Sequence, residues 1–308
     1  MLDDKGKLIN KELRIETTNL CNAHCIMCAH DVMERPQGIM SNQLFEDLVD
    51  QGKELGIEVV SPFGFGEPFL DPNLGSKVLY CTDSRLKTLL TTNGSLCNEK
   101  KMHELMSAGL SYIRFSVHAL TEHDFKRVTG LKFNEVLTNI FSTLCLKKFF
   151  PRIHIAISVI PMSGESVEEI KRYWETHNID SLEIWRPHNW ATAKGYRSKT
   201  KNRKKTCGRP FRGPLQIQWD GKVIPCCFLT DAELVLGDAT KQTLEEILKG
   251  EPYRELRERH EKGDLKGLPC ENCDQLNIEQ ENPLLYSSID KNRRIDRTNY
   301  LKYELVGG

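Results

Sequence analysis

Cys21-Asn22-Ala23-His24-Cys25-Ile26-Met27-Cys28 sets three cysteines in a CxxxCxxC spacing, directly after the strand-like run Leu13 to Thr17. Thiolates are soft ligands, and cysteines clustered in this way read as a metal site. Three is an odd number for a closed site. A structural zinc takes four ligands, and so does an ordinary cubane iron–sulfur cluster. A cluster held by three cysteines leaves one iron open to an outside ligand, which can be a small molecule that then receives an electron. Zinc is the competing reading of the triplet, with His24 or His30 as fourth ligand.

Outward from this loop the chain alternates between two periodicities. Leu13-Arg14-Ile15-Glu16-Thr17 alternates apolar and polar residues, as a strand does. Ser41 is placed to cap a helix over Asn42 to Leu55. Strands are expected at Val59 to Phe65, Leu86 to Leu90, Tyr112 to Val117, Ile153 to Ile160 and Leu182 to Trp185. Helices are expected at Glu99 to Ala108, Phe133 to Lys148 and Val167 to His177. About six alternations of strand and helix argue for a parallel α/β fold, wrapped by right-handed crossovers into a barrel or an open arc. In barrels the chemistry lies where strands end and loops begin. The cysteine loop, Gly66-Glu67, Asn93-Gly94, Ser116 and His118 all fall at such ends.

The triplet and these neighbours resemble the radical S-adenosylmethionine (SAM) superfamily. The resemblance implies a partial (β/α)6 TIM-like barrel and a 4Fe–4S cluster on Cys21, Cys25 and Cys28, whose open iron is chelated by SAM. It further implies reductive cleavage of SAM to a 5′-deoxyadenosyl radical. Gly64-Phe65-Gly66-Glu67-Pro68 resembles the family's glycine–glycine–glutamate–proline edge, which meets the SAM amino group, with Phe65 in place of one glycine. Carbonyl and carboxylate acceptors suit an ammonium donor, and glycines allow close approach. Met27 holds the position that packs on adenine in the family, and Ser116 and Ser158 the positions of ribose-binding serines. His30, Met33, Arg35 and Gly38 follow the pattern of members that carry a further C-terminal cluster.

The second half has its own metal signature: Cys207, then Gly221-Lys222-Val223-Ile224-Pro225-Cys226, then Cys270-Glu271-Asn272-Cys273. Leu215 to Trp219 and Lys222 to Cys226 read as a hairpin around Asp220-Gly221, a two-residue turn signal. Thr243 to Glu261 reads as helix interrupted at Gly250 and Pro252. This resembles the small twitch module, a shortened SPASM domain built from a β-hairpin and a helix. The resemblance implies one auxiliary 4Fe–4S cluster bound by Cys207, Cys226, Cys270 and Cys273. A structural zinc on the same four thiolates is the alternative. Cys227 is left over. Its readings are a bystander, an alternative ligand, or a hydrogen-atom donor near the substrate. Cys81, Cys97 and Cys145 read as ordinary thiols.

The expected organisation is a barrel over residues 1–192, a basic linker over 193–206, the auxiliary-cluster domain over 207–280 and a tail over 281–308. The linker carries seven lysines and arginines without apolar period. It reads as a solvated connection, or as a positive flap that meets an anionic substrate. A net charge of zero gives no general case for nucleic acid or membrane. No apolar run reaches transmembrane length, and the start lacks a signal-peptide pattern. A reducing, cytoplasmic setting is therefore expected for the eleven cysteines.

The motif combination is similar to that of the family branch that oxidises an aminocyclitol alcohol to a ketone. The resemblance then implies a small-molecule substrate, a sugar or an anionic compound, and an electron donor such as flavodoxin or ferredoxin. Epimerisation of a sugar with a cysteine hydrogen donor, peptide modification, and a zinc-stapled nucleic-acid module are the other readings. The terminal Val306-Gly307-Gly308 resembles the tail of the molybdopterin-forming branch, whose auxiliary cysteine order is absent here.

Overall fold

In the computed structural model, residues 1–278 and the backbone of residues 283–288 are described. Strand and helix alternate through β1 (Glu12–Ile15), α1 (Asn42–Glu54), β2 (Val59–Pro62), α2 (Leu74–Asp83), β3 (Lys87–Thr92), α3 (Glu99–Ser107), β4 (Tyr112–Ser116), α4 (Glu122–Thr129), α5 (Phe133–Leu146), β5 (His154–Val159), α6 (Val167–Glu175) and β6 (Ser181–Trp185). β1 to β6 are all parallel neighbours in chain order. The result is the expected partial six-unit barrel, open rather than closed. Ser41 caps α1 through Leu44 N at 3.2 Å, and Ser166 and Glu169 form a capping box on α6.

The alternation within each strand builds two layers. Leu13 and Ile15 of β1 pack under α1 in one hydrophobic cluster, and Ile113, Phe115, Ile155, Ile157, Leu182 and Ile184 join a second with α3, α5 and α6. Their alternate neighbours face the barrel interior, and many are polar. Ser61 donates to Glu12 at 2.6 Å, Tyr112 donates to Glu183 at 3.1 Å and stacks on His154, and His154 meets Ser181 at 2.8 Å. A polar inner layer does not fill a barrel as branched aliphatics would, so a cavity remains.

α2 and α4 have no counterpart in the sequence expectations. α2 opens on Leu-Gly-Ser and turns a lysine inward: Lys77 is buried and bonds Asp71 at 2.6 Å and the Met40 carbonyl at 2.7 Å. α4 buries only Phe125, Val128 and Thr129, too narrow a stripe for a clear helical period.

After β6 come α7 (Arg209–Arg212), β7 (Leu215–Ile217), β8 (Lys222–Ile224), β9 (Gly237–Asp238), α8 (Leu244–Lys249), α9 (Glu251–Lys262) and β10 (Pro283–Ser288). The hairpin is present, but it is not a separate sheet. β7 pairs parallel with β1, giving one sheet of order β10-β6-β5-β4-β3-β2-β1-β7-β8-β9. The turn spans Trp219, Asp220 and Gly221 rather than two residues, since Gln218 N bonds the Lys222 carbonyl at 2.9 Å and Gly221 takes φ of 86°. Residues 281–308, expected as a tail, contribute β10, antiparallel to β6. The terminal Gly307-Gly308 lies outside the described residues. Among the described residues, no helix is long and apolar enough to cross a membrane.

The basic stretch at 193–206 is not a loose linker. Lys194 pairs with Asp31 at 2.7 Å, and Arg197 is buried against Asp274 at 3.4 Å. Arg203 bonds the carbonyls of Glu271 and Cys273. Three of its seven cations thus make contacts within the protein itself.

Candidate active site

A cavity of about 300 Å³ opens at the C-terminal ends of the barrel strands. Cys21, Cys25 and Cys28 line it together with Met27, Gly64, Phe65, Gly66, Glu67, Ser116 and Ser158, so the structure gathers the expected SAM-contacting residues around one space. The cysteine loop is held by α4: His24 N bonds the Thr129 carbonyl at 2.8 Å and Ile26 N the Val128 carbonyl at 2.9 Å, one on each side of Cys25. Burial raises all three thiols, Cys28 to about 11. Such thiols ionise when a cation binds them. His24 is exposed, and the His30 ring bonds the Asn19 carbonyl at 2.9 Å, so neither joins the triad as a zinc ligand.

The glycine-rich edge is fitted to close approach. A Cβ on Gly66 would lie 2.1 Å from the Thr18 carbonyl oxygen, and one on Gly64 2.4 Å from Glu16. Glu67 is buried and accepts from Thr92 Oγ1 at 2.7 Å, Asn93 N at 2.7 Å and Phe69 N at 3.2 Å. Burial nevertheless pushes its carboxyl up to about 7, against the pull of those hydrogen bonds. An acid raised in this way favours its protonated form in the folded chain. Its contribution is full below pH of about 4.5 and is lost as pH rises through about 7, a loss on the order of 3 kcal/mol. Urea titrations of the cluster-free protein between pH 4.5 and 8 should therefore show a stability decline that Glu67→Gln removes. Parallel profiles for the two proteins would contradict this.

Further residues line the cavity beyond those expected. His118 accepts from Ile160 N at 3.1 Å through Nδ1, which leaves the proton on Nε2; burial lowers it to about 4, so it is neutral. His188 is likewise lowered, to about 3, mainly by burial, and packs edge-on to Trp190 at 4.4 Å. Trp190 Nε1 donates to the Met27 carbonyl at 2.7 Å, tying the loop after β6 across the cysteine loop. Arg14, Arg114, Arg186 and Arg209 also line the space. Cys227, left over from the four-cysteine set, is on this cavity wall, 3.6 Å from Arg209 Nη1 and 4.0 Å from Arg14 Nη1.

A second, smaller cavity of about 30 Å³ is lined by Cys207, Cys226, Cys270 and Cys273. Burial pushes Cys270 and Cys273 up to about 12, and a hydrogen bond with Cys227 raises Cys226. Among the described residues, no three His, Cys, Asp or Glu side chains converge tightly enough to hold a single ion. Thiols spread around a shared space, in sets of three and four, fit polynuclear sulfur-ligated clusters.

The residues after the triplet now have a physical role. Arg35 forms two 2.7 Å bonds to Glu16 and one of 2.7 Å to the Thr230 carbonyl. A Cβ on Gly38 would strike the Trp219 ring at 2.4 Å. They form the seam between the barrel and the C-terminal region.

A family model of the radical SAM superfamily matches residues 15–174, and a model of SPASM, an iron-sulfur cluster-binding domain, matches residues 207–274. The chain belongs to the radical SAM superfamily. Its cofactors are SAM and two 4Fe–4S clusters. Among curated relatives of this radical SAM protein, an uncharacterized protein of Methanocaldococcus jannaschii, MJ0804, is 35% identical over 128 residues, 41% of each chain. A GTP 3′,8-cyclase of Desulforamulus reducens is 34% identical over 155 residues, 48% of this chain and 46% of its own. The matches span about half the length of such relatives. Among solved structures, BtrN in complex with AdoMet and 2-DOIA has a TM-score of 0.59 at 19% identity, covering 94% of this chain and 98% of its own. The protein anSMEcpe with bound AdoMet has a TM-score of 0.63 at 15% identity, covering 96% of each. SuiB of Streptococcus suis bound to S-adenosylmethionine has a TM-score of 0.65 at 16% identity, covering 87% of this chain and 71% of its own. At these identities the structures share the fold.

Proposed function

We propose that this protein is a radical SAM oxidoreductase that converts a sugar or aminocyclitol alcohol to a ketone. In this reading Cys21, Cys25 and Cys28 hold the SAM-binding cluster within residues 1–192. Cys207, Cys226, Cys270 and Cys273 hold the auxiliary cluster within residues 207–280, joined through 193–206. When bound, the cofactors would supply a 5′-deoxyadenosyl radical that takes the carbinol hydrogen atom and a cluster that accepts the remaining electron, with the hydroxyl proton passing to a base. The observation that carries the reading is a shared wall: Arg209 and Phe228 line both cavities, so substrate and auxiliary cluster lie on two sides of one layer of side chains.

The chain's own residues bind, orient and exclude water. Gly64, Phe65, Gly66 and Glu67 offer acceptors to the SAM ammonium, Met27 packs on adenine, and Ser116 and Ser158 face the ribose. Phe63, Phe65, Trp185, Trp190 and Phe228 give the cavity an aromatic lining that keeps water from a radical. A flavodoxin or ferredoxin in the cytoplasm supplies the reducing electron.

A second reading, epimerisation, is favoured by Cys227 on the cavity wall, where a thiol can return a hydrogen atom to carbon. One experiment separates the two. Turnover in deuterium oxide with candidate substrates should give ketone with no deuterium at the reacting carbon. Cys227→Ala should keep this turnover, and Cys270→Ala should lose product while retaining SAM cleavage. Deuterium at that carbon, lost in Cys227→Ala, would replace oxidation by epimerisation.

A further inference from the structure

The barrel floor and its rim bring together a set of guanidinium groups. Arg14 on β1 and Arg114 on β4 stand within strands, below the loops that carry the cysteines. Arg186 follows β6, and Arg209 opens α7. All four line the larger cavity, where Glu67, of the expected SAM edge, is the one carboxylate among the described lining residues.

The two strand arginines are fixed from behind. Glu12 receives Arg14 Nε at 3.0 Å and Nη2 at 3.3 Å, and Ser61 donates to it at 2.6 Å. Glu183 receives Arg114 Nη1 at 3.0 Å, Tyr112 Oη at 3.1 Å and Trp185 Nε1 at 3.1 Å. Both carboxylates are buried, at 2% and 0% exposure. Arg14 Nη1 and Arg209 Nη1 approach the same sulfur, Cys227 Sγ, and the Arg209 guanidinium stacks over Phe228 at 4.7 Å. Stacking and buried ion pairs hold planar groups in one orientation, as a forked site for an oxyanion requires. Glu12 and Glu183 pair with Arg14 and Arg114 from behind, and Arg186 and Arg209 bring two further positive charges to the same aromatic-lined space, a field that attracts an anion.

We propose that Arg14, Arg114, Arg186 and Arg209 form an anion subsite that binds a phosphate or carboxylate group of the substrate, and that the substrate is therefore an acidic sugar rather than a cationic aminocyclitol. The subsite rests on the radical SAM reading for its purpose but not for its test. It orients the substrate with its acidic end among the arginines and its reacting carbon toward Cys21, Cys25 and Cys28. The cations of this subsite come from β1, β4, the residue after β6 and the start of α7.

Equilibrium dialysis of the anaerobically reconstituted full chain with inorganic phosphate, and separately with malonate, tests the subsite. One saturable site per chain for at least one of the two anions is expected, and the preferred anion distinguishes phosphate from carboxylate substrates. Arg209→Gln should weaken that site about tenfold, Arg209→Lys less, and Arg186→Gln measurably. If Arg209→Gln loses iron on preparation, Arg209→Lys and Arg186→Gln carry the comparison. Saturable binding of neither anion, or equal binding by wild type and all variants, would overturn the proposal. So would a change in the auxiliary-cluster electron paramagnetic resonance signal of Arg209→Gln with anion affinity intact, which would make Arg209 a counter-ion to the cluster. SAM cleavage is assayed on the same samples. Cleavage without anion binding removes the subsite alone, and anion binding without cleavage removes the radical reading alone.

Discussion

Cys25→Ala abolishes 5′-deoxyadenosine formation and leaves about half of the iron. The wild-type chain should reconstitute to about eight irons, four at each cysteine set, and the variant to about four. The loss of cleavage should be complete because a cluster with two protein ligands has no stable seat for SAM. Cys25 sits between its partners in a buried wall, where both Cys21 and Cys28 act on it electrostatically. The fold should survive, since the backbone on either side of Cys25 is pinned to the end of α4 through Thr129 and Val128. Iron and sulfide analysis with product chromatography checks both halves. Cleavage that persists in Cys25→Ala would end the assignment of the triplet, and a wild-type chain that saturates at about four irons would end the two-cluster reading.

Arg35→Ala lowers stability by about 3–5 kcal/mol. Glu16 and Arg35 are a buried pair, with side chains 4% and 9% exposed and two bonds of 2.7 Å. Glu16 also accepts from Phe65 N at 3.0 Å, on the SAM edge, while Arg35 reaches the Thr230 carbonyl beyond the auxiliary hairpin. Alanine leaves the Glu16 carboxylate buried without its counter-charge, which costs far more than the pair contributes over a neutral replacement. The double variant Glu16→Gln with Arg35→Met should therefore recover most of the loss. Denaturant midpoints of the cluster-free chains measure this. A single variant within about 1 kcal/mol of wild type would mean that the seam is held by its aromatic packing instead.

What was legible in the sequence was chemistry with few alternatives. Thiols at fixed spacing and a glycine edge under a carbonyl tolerate little else, so the triplet, the four-cysteine set and Gly66-Glu67 stood out. Orientation was harder to see. Arg14 and Glu16 are the polar half of the Leu13 to Thr17 alternation, which does not say which way they face; Arg14 lines the barrel cavity. Cys226 and Cys227 are neighbours, and one residue of phase sends the first to the small cavity and the second to the large one. α4 was missed because its apolar stripe is narrow, although it holds the cysteine loop. The partner of β1 on its outer edge, β7, could not be read at all, since register across so long a separation leaves no local signal.

That last pairing sets a timetable. Leu13 finds Leu215 as its neighbour, so one edge of the first strand stays open until most of the chain has been made. At ribosomal rates of about 5–20 residues per second, the wait is on the order of 10–40 s. For that time β1 presents unsatisfied backbone groups to any strand nearby, including those of other nascent chains. Completion of the β1 edge therefore depends on a contact of high sequence separation, which slows folding. The cell must shelter this edge before the protein can shelter a radical.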